Sequence, residues 1–313
     1  MEGRLQIFSG SANRALAHEI AAGLNLNLGR AMVGAFQNGE TRVKIEENVR
    51  GSDVFVVQPT CTPVNHHLME LLLLIDALRR ASAARVTAVI PYYGYAKQEK
   101  KTTGREPISA KLVANLIATA GADRVLTMDL HTPAIEGFFD IPVDHLQAGP
   151  LLAGYISQLN LPNPVSVSPD VGGVGRANQF RERIGAGLAI IVKQRPQPDM
   201  VEMLEMVGDI EGKTAIIVDD MISTGGTLAQ AAASLKERGA EAVYACATHP
   251  IFAGDALSIL KNSVLTETIV TNTIPLPANT NGMAIKVISV AALFAEAIMR
   301  IHKDLSLSAL FHE

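Results

Sequence analysis

The sequence predicts an α/β fold built as two similar doubly wound domains, each around a central parallel sheet. Two observations carry this expectation. Short apolar, partly β-branched segments alternate with helix-period patterns along all 313 residues, and polar residues gather at the ends of the apolar segments, where ligands sit in parallel sheets. The first half reads IFS and then a helical pattern over 14–23, DVFVVQP and then 68–81, RVTAVIP and then 108–120, and finally RVLTMDL. The second half repeats the rhythm with PVSVSPD, GLAIIVK, KTAIIVDD, AVYACATHP, TIVTNTIP and IKVISV. Chain length favours two domains of about 150 residues. With the join at QAGPLLAG, the expected domains are 1–147 and 148–313, the final helix and tail packing back on the N-terminal half.

Composition narrows the function. At 48% hydrophobic the chain can bury a sizeable core, and its net charge of −4 offers no basic field to hold nucleic acid. Cys61 and Cys246 are too few and too far apart in sequence to suggest a disulfide framework, which fits the reducing cytoplasm. The opening MEGRLQIFSG lacks the basic and long apolar segments of a signal peptide. The most apolar run, Leu68 to Leu78, is interrupted by Glu70 and Asp76, so no membrane span is expected.

The stretch from Thr214 to Thr227, TAIIVDDMISTGGT, is the most informative. It reads as a buried strand, two carboxylates and a polar turn opening a helix. Gly225 and Gly226 allow successive backbone N–H groups to close around an anion, while Ser223, Thr224 and Thr227 add hydroxyl donors at the helix start. Asp219 and Asp220 cannot bind that anion by charge, so sugar hydroxyls or a divalent cation are their expected partners. The combination favours a sugar phosphate over a plain strand end and helix cap.

Other strand ends carry further candidates. In TMDLHTP, Asp129 and His131 stand two apart, and on an extended segment both point the same way, toward a metal or phosphate; a purely structural histidine is the alternative. Asp140, Asp144 and His145 follow in FFDIPVDH. SPDVGGVGRA offers Asp170 before Gly172 and Gly173, either a metal or ribose site or only a tight turn. Lys193 and Arg195, at the end of GLAIIVKQR, suit the charge of a polyphosphate transition state, or are solvated basic residues. Around a glycine turn at Gly39, Phe36 is suited to stack on a purine whose polar edge meets Asn38, Glu40 and Gln98, with Lys97 toward phosphates; ordinary exposed loops have the same composition.

The loop VDDMISTGGT resembles the ribose-5-phosphate loop of the phosphoribosyltransferase and phosphoribosyl-pyrophosphate synthetase superfamily. Together with IFSG, KIEENVRG, QPTCTPVN, RRASAARVTAVIPYYGYA, TAGADRVLTMDLH, GFFDIPVDH, VSPDVGGV, NTIPLP and AEAIMRIH, in this order over nearly the whole chain, the ensemble resembles the ribose-phosphate pyrophosphokinases of class I. The resemblance implies a phosphoribosyltransferase-like fold and transfer of the β,γ-diphosphoryl group of Mg·ATP to the anomeric hydroxyl of ribose 5-phosphate, releasing AMP. It implies ATP binding by Phe36, Asn38, Gly39, Glu40, Lys97, Gln98 and His131. Mg2+ would fall to His131, Asp170 and Asp129, with Asp140 and Asp144 as further candidates. Lys193 and Arg195 would be the catalytic cations, and Arg195, Asp219, Asp220 and residues Ser223 to Thr227 would hold ribose 5-phosphate.

The chain departs from the family pattern at three places. Lys97, Gln98 and Glu99 replace Arg-Gln-Asp, Asn38 replaces Asp, and Ser223 replaces Asp. A lysine cannot reproduce bidentate guanidinium contacts, so altered ATP affinity is expected. The resemblance also implies a homo-oligomer, a hexamer, and regulation by phosphate and ADP, for which Arg50, Arg80, Ser82, Ser306 and Ser308 are candidates. A catalytically silent subunit of the same fold and a phosphoribosyltransferase are the competing functions.

Overall fold

A computed structural model describes residues 3–194 and 203–310. The chain divides into two compact units. One comprises Met1–Gln147 with Thr273–Pro275 and Ser289–Glu313, the other Ala148–Asn272 with Leu276–Ile288.

In the first unit, β1 (Leu5–Ser9), α1 (Arg14–Gly23), β2 (Ala31–Ala35) and β3 (Thr41–Ile45) precede β4 (Asp53–Val57), α2 (Val64–Arg80) and β5 (Arg85–Ile90). Then come α3 (Ser109–Ala120), β6 (Arg124–Met128), a 3-10 segment (Pro133–Phe138) and β7 (Val143–Leu146). Five strands form one parallel sheet in the order β1-β4-β5-β6-β7. All five residues of β4 are buried, the signature of a parallel strand covered on both faces. On α2 the buried Leu68, Leu71, Leu74, Ile75 and Leu78 recur at helical spacing, each contributing about 2 kcal/mol by leaving water.

The sequence places the start of α2 at 68, whereas the helix begins at Val64, directly after Pro63. Its first turn, VNHH, has no apolar period and so hid the true start. A second difference is the antiparallel hairpin β2–β3, with Ala35 opposite Thr41, where only a glycine turn was expected.

The second unit holds α4 (Gly149–Gln158), β8 (Pro164–Ser168), α5 (Val174–Ile184), β9 (Gly187–Gln194), β10 (Met203–Val207) and β11 (Thr214–Ile222). It continues with α6 (Gly226–Glu237), β12 (Ala242–Pro250), α7 (Ala256–Lys261), β13 (Glu267–Thr271) and β14 (Ile285–Ile288). Its sheet order is β10-β9-β8-β11-β12-β13-β14, parallel except for the antiparallel edge strand β10. The central strand β11 runs past its acidic pair to Ile222 because β12 pairs with it as far as Pro250. Asp219 and Asp220 therefore lie inside the strand, not at its end.

The last helix, α8 (Ala291–His302), belongs to the first unit and buries Phe294, Ala295, Ile298 and Ile301. Its C-terminal end meets a buried carboxylate at the start of β4. Asp53 accepts hydrogen bonds from Arg85 Nε at 2.8 Å and Nη2 at 2.6 Å, and lies 2.8 Å from His302 Nδ1. Arg85 Nη2 also donates to the Ile301 carbonyl at 2.9 Å. Cys61 and Cys246 are both free and buried. Among the described residues no helix is long and apolar enough to cross a membrane.

Candidate active site

In the second unit the site grows from three neighbouring parallel strands. β8 pairs β11 with Val167 opposite Ile217, and β9 pairs β8 with Ile190 opposite Ser168, so the carboxyl ends of all three fall on one sheet edge. Asp219 and Asp220 stand within β11, three and two residues before its end at Ile222. One guanidinium spans them: Arg176, near the start of α5, donates from Nη1 to Asp219 Oδ1 at 3.1 Å and stands 3.6 Å from Asp220 Oδ1. The Asp220 N–H also donates to Asp219 Oδ1 at 2.8 Å. Arg176 was not among the residues that the sequence singled out. Its one signal is a cation in the first turn of the helix opened by the Asp-Val-Gly-Gly turn.

Burial raises the Asp219 carboxyl to about 7, reinforced by the hydrogen bond and the charge of Asp220, with Arg176 pulling the other way. Sugar hydroxyls donate to an ionised carboxylate. For the sugar-binding role that the resemblance implies for Asp219, the expected outcome is a KM for ribose 5-phosphate that falls as pH rises through 7, by up to about tenfold per unit below it, and a dependence that flattens in Asp219→Asn. The linked effect on stability has the opposite sense. Because the folded value lies above the unfolded one, the stability that this group contributes is full below the ordinary carboxylate range and is lost as pH rises through about 7. Thermal melts at pH 5 and pH 8, without ligand, should show that loss in the parent and not in Asp219→Asn.

After β11 the chain makes the predicted turn. Gly225 takes φ +77 as the N-cap of α6, a left-handed conformation that favours glycine, and no side chain caps the helix. The helix N-terminus thus begins at this turn, with Gly226 and the exposed Thr224 and Thr227 beside it and Ser223 half-buried. In the turn after β8, Asp170 Oδ1 accepts from the Gly173 N–H at 2.9 Å, and Ser168 Oγ donates to the Asp170 carbonyl at 2.6 Å. A Cβ on Gly173 would sit 2.9 Å from Ser168 Oγ, so a larger residue would push that hydroxyl and its bond to the Asp170 carbonyl aside. The carboxyl of Asp170 thus braces its own turn through one oxygen. Lys193 is in β9 opposite Leu204, one residue before the strand's end, and Arg195 lies outside the described residues.

In the first unit Phe36, Asn38, Gly39 and Glu40 form the tip of the β2–β3 hairpin. Phe36 donates its N–H to the Glu40 carbonyl at 2.8 Å, Asn38 Oδ1 accepts from the Glu40 N–H at 3.2 Å, and Gly39 has φ +86. The Phe36 ring is 48% exposed with the Arg42 guanidinium 5.4 Å from its centroid, leaving aromatic surface for a planar group. Lys97 is exposed; Gln98 Oε1 accepts from Ser109 Oγ at 2.6 Å, which ties it to the start of α3.

The turn after β6 differs from the sequence argument. β6 ends at Met128 and Asp129 takes φ +38, so Asp129 and His131 are not on an extended segment and the two-residue alternation does not align them. Beside them Thr132 Oγ1 is buried without a hydrogen-bond partner, an atom that a bound polar group would satisfy. Asp144 pairs with Arg124 at 2.6 Å and Asp140 lies 3.5 Å from Lys111. Among the described residues no group of three or more His, Cys, Asp or Glu is arranged to hold a metal. One or two protein ligands are what Mg2+ takes when substrate phosphates and water complete its shell, so a site of that kind would not form such a group.

Of the regulatory candidates, Ser308 lines a cavity of about 470 Å3 with Glu136, Asp144, His145 and Leu307. Arg80 is instead paired with Asp76 at 2.8 Å.

Fold and turns together define a doubly wound α/β protein of the phosphoribosyltransferase-like class, with a glycine turn after the strand that carries a carboxylate pair. Residues 5–121 match the N-terminal domain of ribose phosphate pyrophosphokinase, and residues 191–312 match the phosphoribosyl synthetase-associated domain. A ribose-phosphate pyrophosphokinase of Caldanaerobacter subterraneus is 55% identical over 308 residues, 98% of each chain. That of Oceanobacillus iheyensis is 52% identical over 307 residues, 98% of this chain and 97% of its own. The crystal structure of phosphoribosylpyrophosphate synthetase from Mycobacterium smegmatis superposes with a TM-score of 0.91 at 44% identity, covering 96% of this chain and 99% of that one. The chain belongs to the ribose-phosphate pyrophosphokinase family.

Proposed function

We propose that the protein transfers the β,γ-diphosphoryl group of Mg·ATP to the 1-hydroxyl of ribose 5-phosphate, giving 5-phosphoribosyl 1-diphosphate and AMP for nucleotide biosynthesis. The observation that carries this reading is identity above 50% over essentially the full length of relatives bearing that activity in their names.

In this reading the 5-phosphate is held by the N–H groups and hydroxyls of Ser223 to Thr227, while Asp219 and Asp220 accept hydrogen bonds from the ribose hydroxyls. Anchoring the sugar at both ends fixes its 1-hydroxyl for in-line attack. A loose phosphoryl transition state asks for such positioning and for charge neutralisation, not for a strong base. Lys193 and Arg195 are the cations assigned to that task. Phe36 stacks the adenine, Asn38, Gly39, Glu40 and Gln98 meet its polar edge, and Lys97 and His131 face the phosphates. Asp129 and His131 in the first unit, and Asp170 in the second, are the residues that would serve Mg2+, which when bound would spread the charge of the phosphate oxygens.

AMP release from ATP, measured with and without ribose 5-phosphate at millimolar Mg2+, tests the reading. Sugar-dependent AMP is expected; none would leave the silent subunit. Nucleotide formed from free bases and the activated sugar would point to the transferase instead. The homo-oligomer, a hexamer in cytoplasmic solution, is the expected particle, and light scattering measures its mass directly.

A further inference from the structure

We propose that His145 is a positioning residue that fixes the turn Asp129–Leu130–His131 by accepting the Leu130 N–H. The functional consequence rests on the reading of Asp129 and His131 as nucleotide and metal residues; the bond itself does not.

β7 lies parallel to β6 with His145 opposite Thr127 and Leu146 opposite Met128. Just beyond, the chain turns at Asp129 with φ +38, a conformation that costs a residue with a Cβ about 1–2 kcal/mol and persists only where its surroundings enforce it. Two hydrogen bonds from β7 do so. The Asp129 N–H donates to the Leu146 carbonyl at 3.0 Å, which continues the ladder. The next amide, that of Leu130, donates to His145 Nε2 at 2.9 Å.

That bond determines where the imidazole proton sits. A backbone N–H can only donate, so Nε2 is the bare nitrogen and a neutral ring carries its proton on Nδ1. Nδ1 lies 2.6 Å from Glu136 Oε1, in the 3-10 segment that follows the turn. The relay Leu130 N–H, imidazole, Glu136 carboxylate therefore closes a bracket around residues 130 to 136, with His131 inside it. A carboxylate behind a histidine orients a metal-binding ring in the same way; here a backbone amide takes the metal's place. Leu130 is 4% exposed, so its N–H has no easy recourse to water. Deleting the acceptor leaves a buried donor unpaired and frees the turn to move, and Asp129 and His131 move with it.

The test uses the full-length protein with 15N label. In the wild type, His145 Nε2 should be the unprotonated nitrogen. In His145→Leu the Leu130 amide should exchange with solvent at least about tenfold faster, the KM for Mg·ATP should rise about tenfold, and the KM for ribose 5-phosphate should stay put. His145→Gln, whose amide oxygen can accept the same N–H, should recover most of both effects. Should His145→Leu not fold, Glu136→Leu at an exposed position removes the tautomer lock and should speed Leu130 exchange in the same direction.

A protonated Nε2, or Leu130 exchange unchanged in either leucine variant, overturns the proposal. So does faster exchange with an unchanged KM for Mg·ATP while His131→Ala raises that KM. If His131→Ala also leaves it unchanged, the nucleotide reading of the turn fails and takes the catalytic half of the proposal with it, although the bracket stands.

Discussion

Arg85→Leu is expected to lower the melting temperature by about 10 °C. Asp53 is fully buried, and Arg85 supplies two of its hydrogen bonds through a fork at 2.8 and 2.6 Å. Removing the fork strands a carboxylate whose remaining neighbour is His302, a loss of about 3–5 kcal/mol for a broken buried pair. For a unit of this size each kcal/mol shifts the midpoint by about 2–4 °C. The same change cuts the bond from Arg85 to the Ile301 carbonyl, so amides of α8 should lose protection before those of the central strands. The double variant Asp53→Leu, Arg85→Leu should regain part of the loss, since it strands no charge. A single variant that melts within 2 °C of the parent would mean that the pair does not fasten α8.

This clamp illustrates what the sequence could not reveal. Buried parallel strands leave continuous apolar runs, so β4, β5 and β11 were legible as strands and the helices between them as periodic patterns. The turn after β11 was legible in form as well, because paired glycines mark a left-handed residue at a helix start, and Gly225 takes φ +77 there. Partners were not legible. Arg176 stands 43 positions before the Asp219 it binds, and His145 stands 15 beyond Leu130, because each meeting is set by which strands lie side by side. Local rules also failed where a strand stopped early. The alignment of Asp129 with His131 assumed extended chain, and the backbone leaves that conformation at Asp129 itself. The hairpin β2–β3 was missed because its alternation, TRVKI, is only five residues long.

Lys193→Ala should reduce turnover by about 100-fold or more, while the KM values for ATP and ribose 5-phosphate change by no more than about threefold. The argument is one of register. Ile190 of β9 lies opposite Ser168 of β8, and Val167 of β8 opposite Ile217 of β11. Three residues past Ile190 is Lys193, two past Ser168 is Asp170, and two past Ile217 is Asp219, so the backbone brings all three to the same carboxyl edge of one sheet. Asp219 and Asp170 are the residues assigned to the sugar and the metal. In the proposed reaction charge grows on the transferring phosphoryl oxygens, and the effect of a cation that meets it only in the transition state is read in turnover, not in ground-state affinity. Lys193→Arg keeps the charge at a different reach and should retain more turnover than alanine does. Near-wild-type turnover in Lys193→Ala would remove the cation from the mechanism, whereas a large rise in either KM with turnover intact would reassign it to substrate binding.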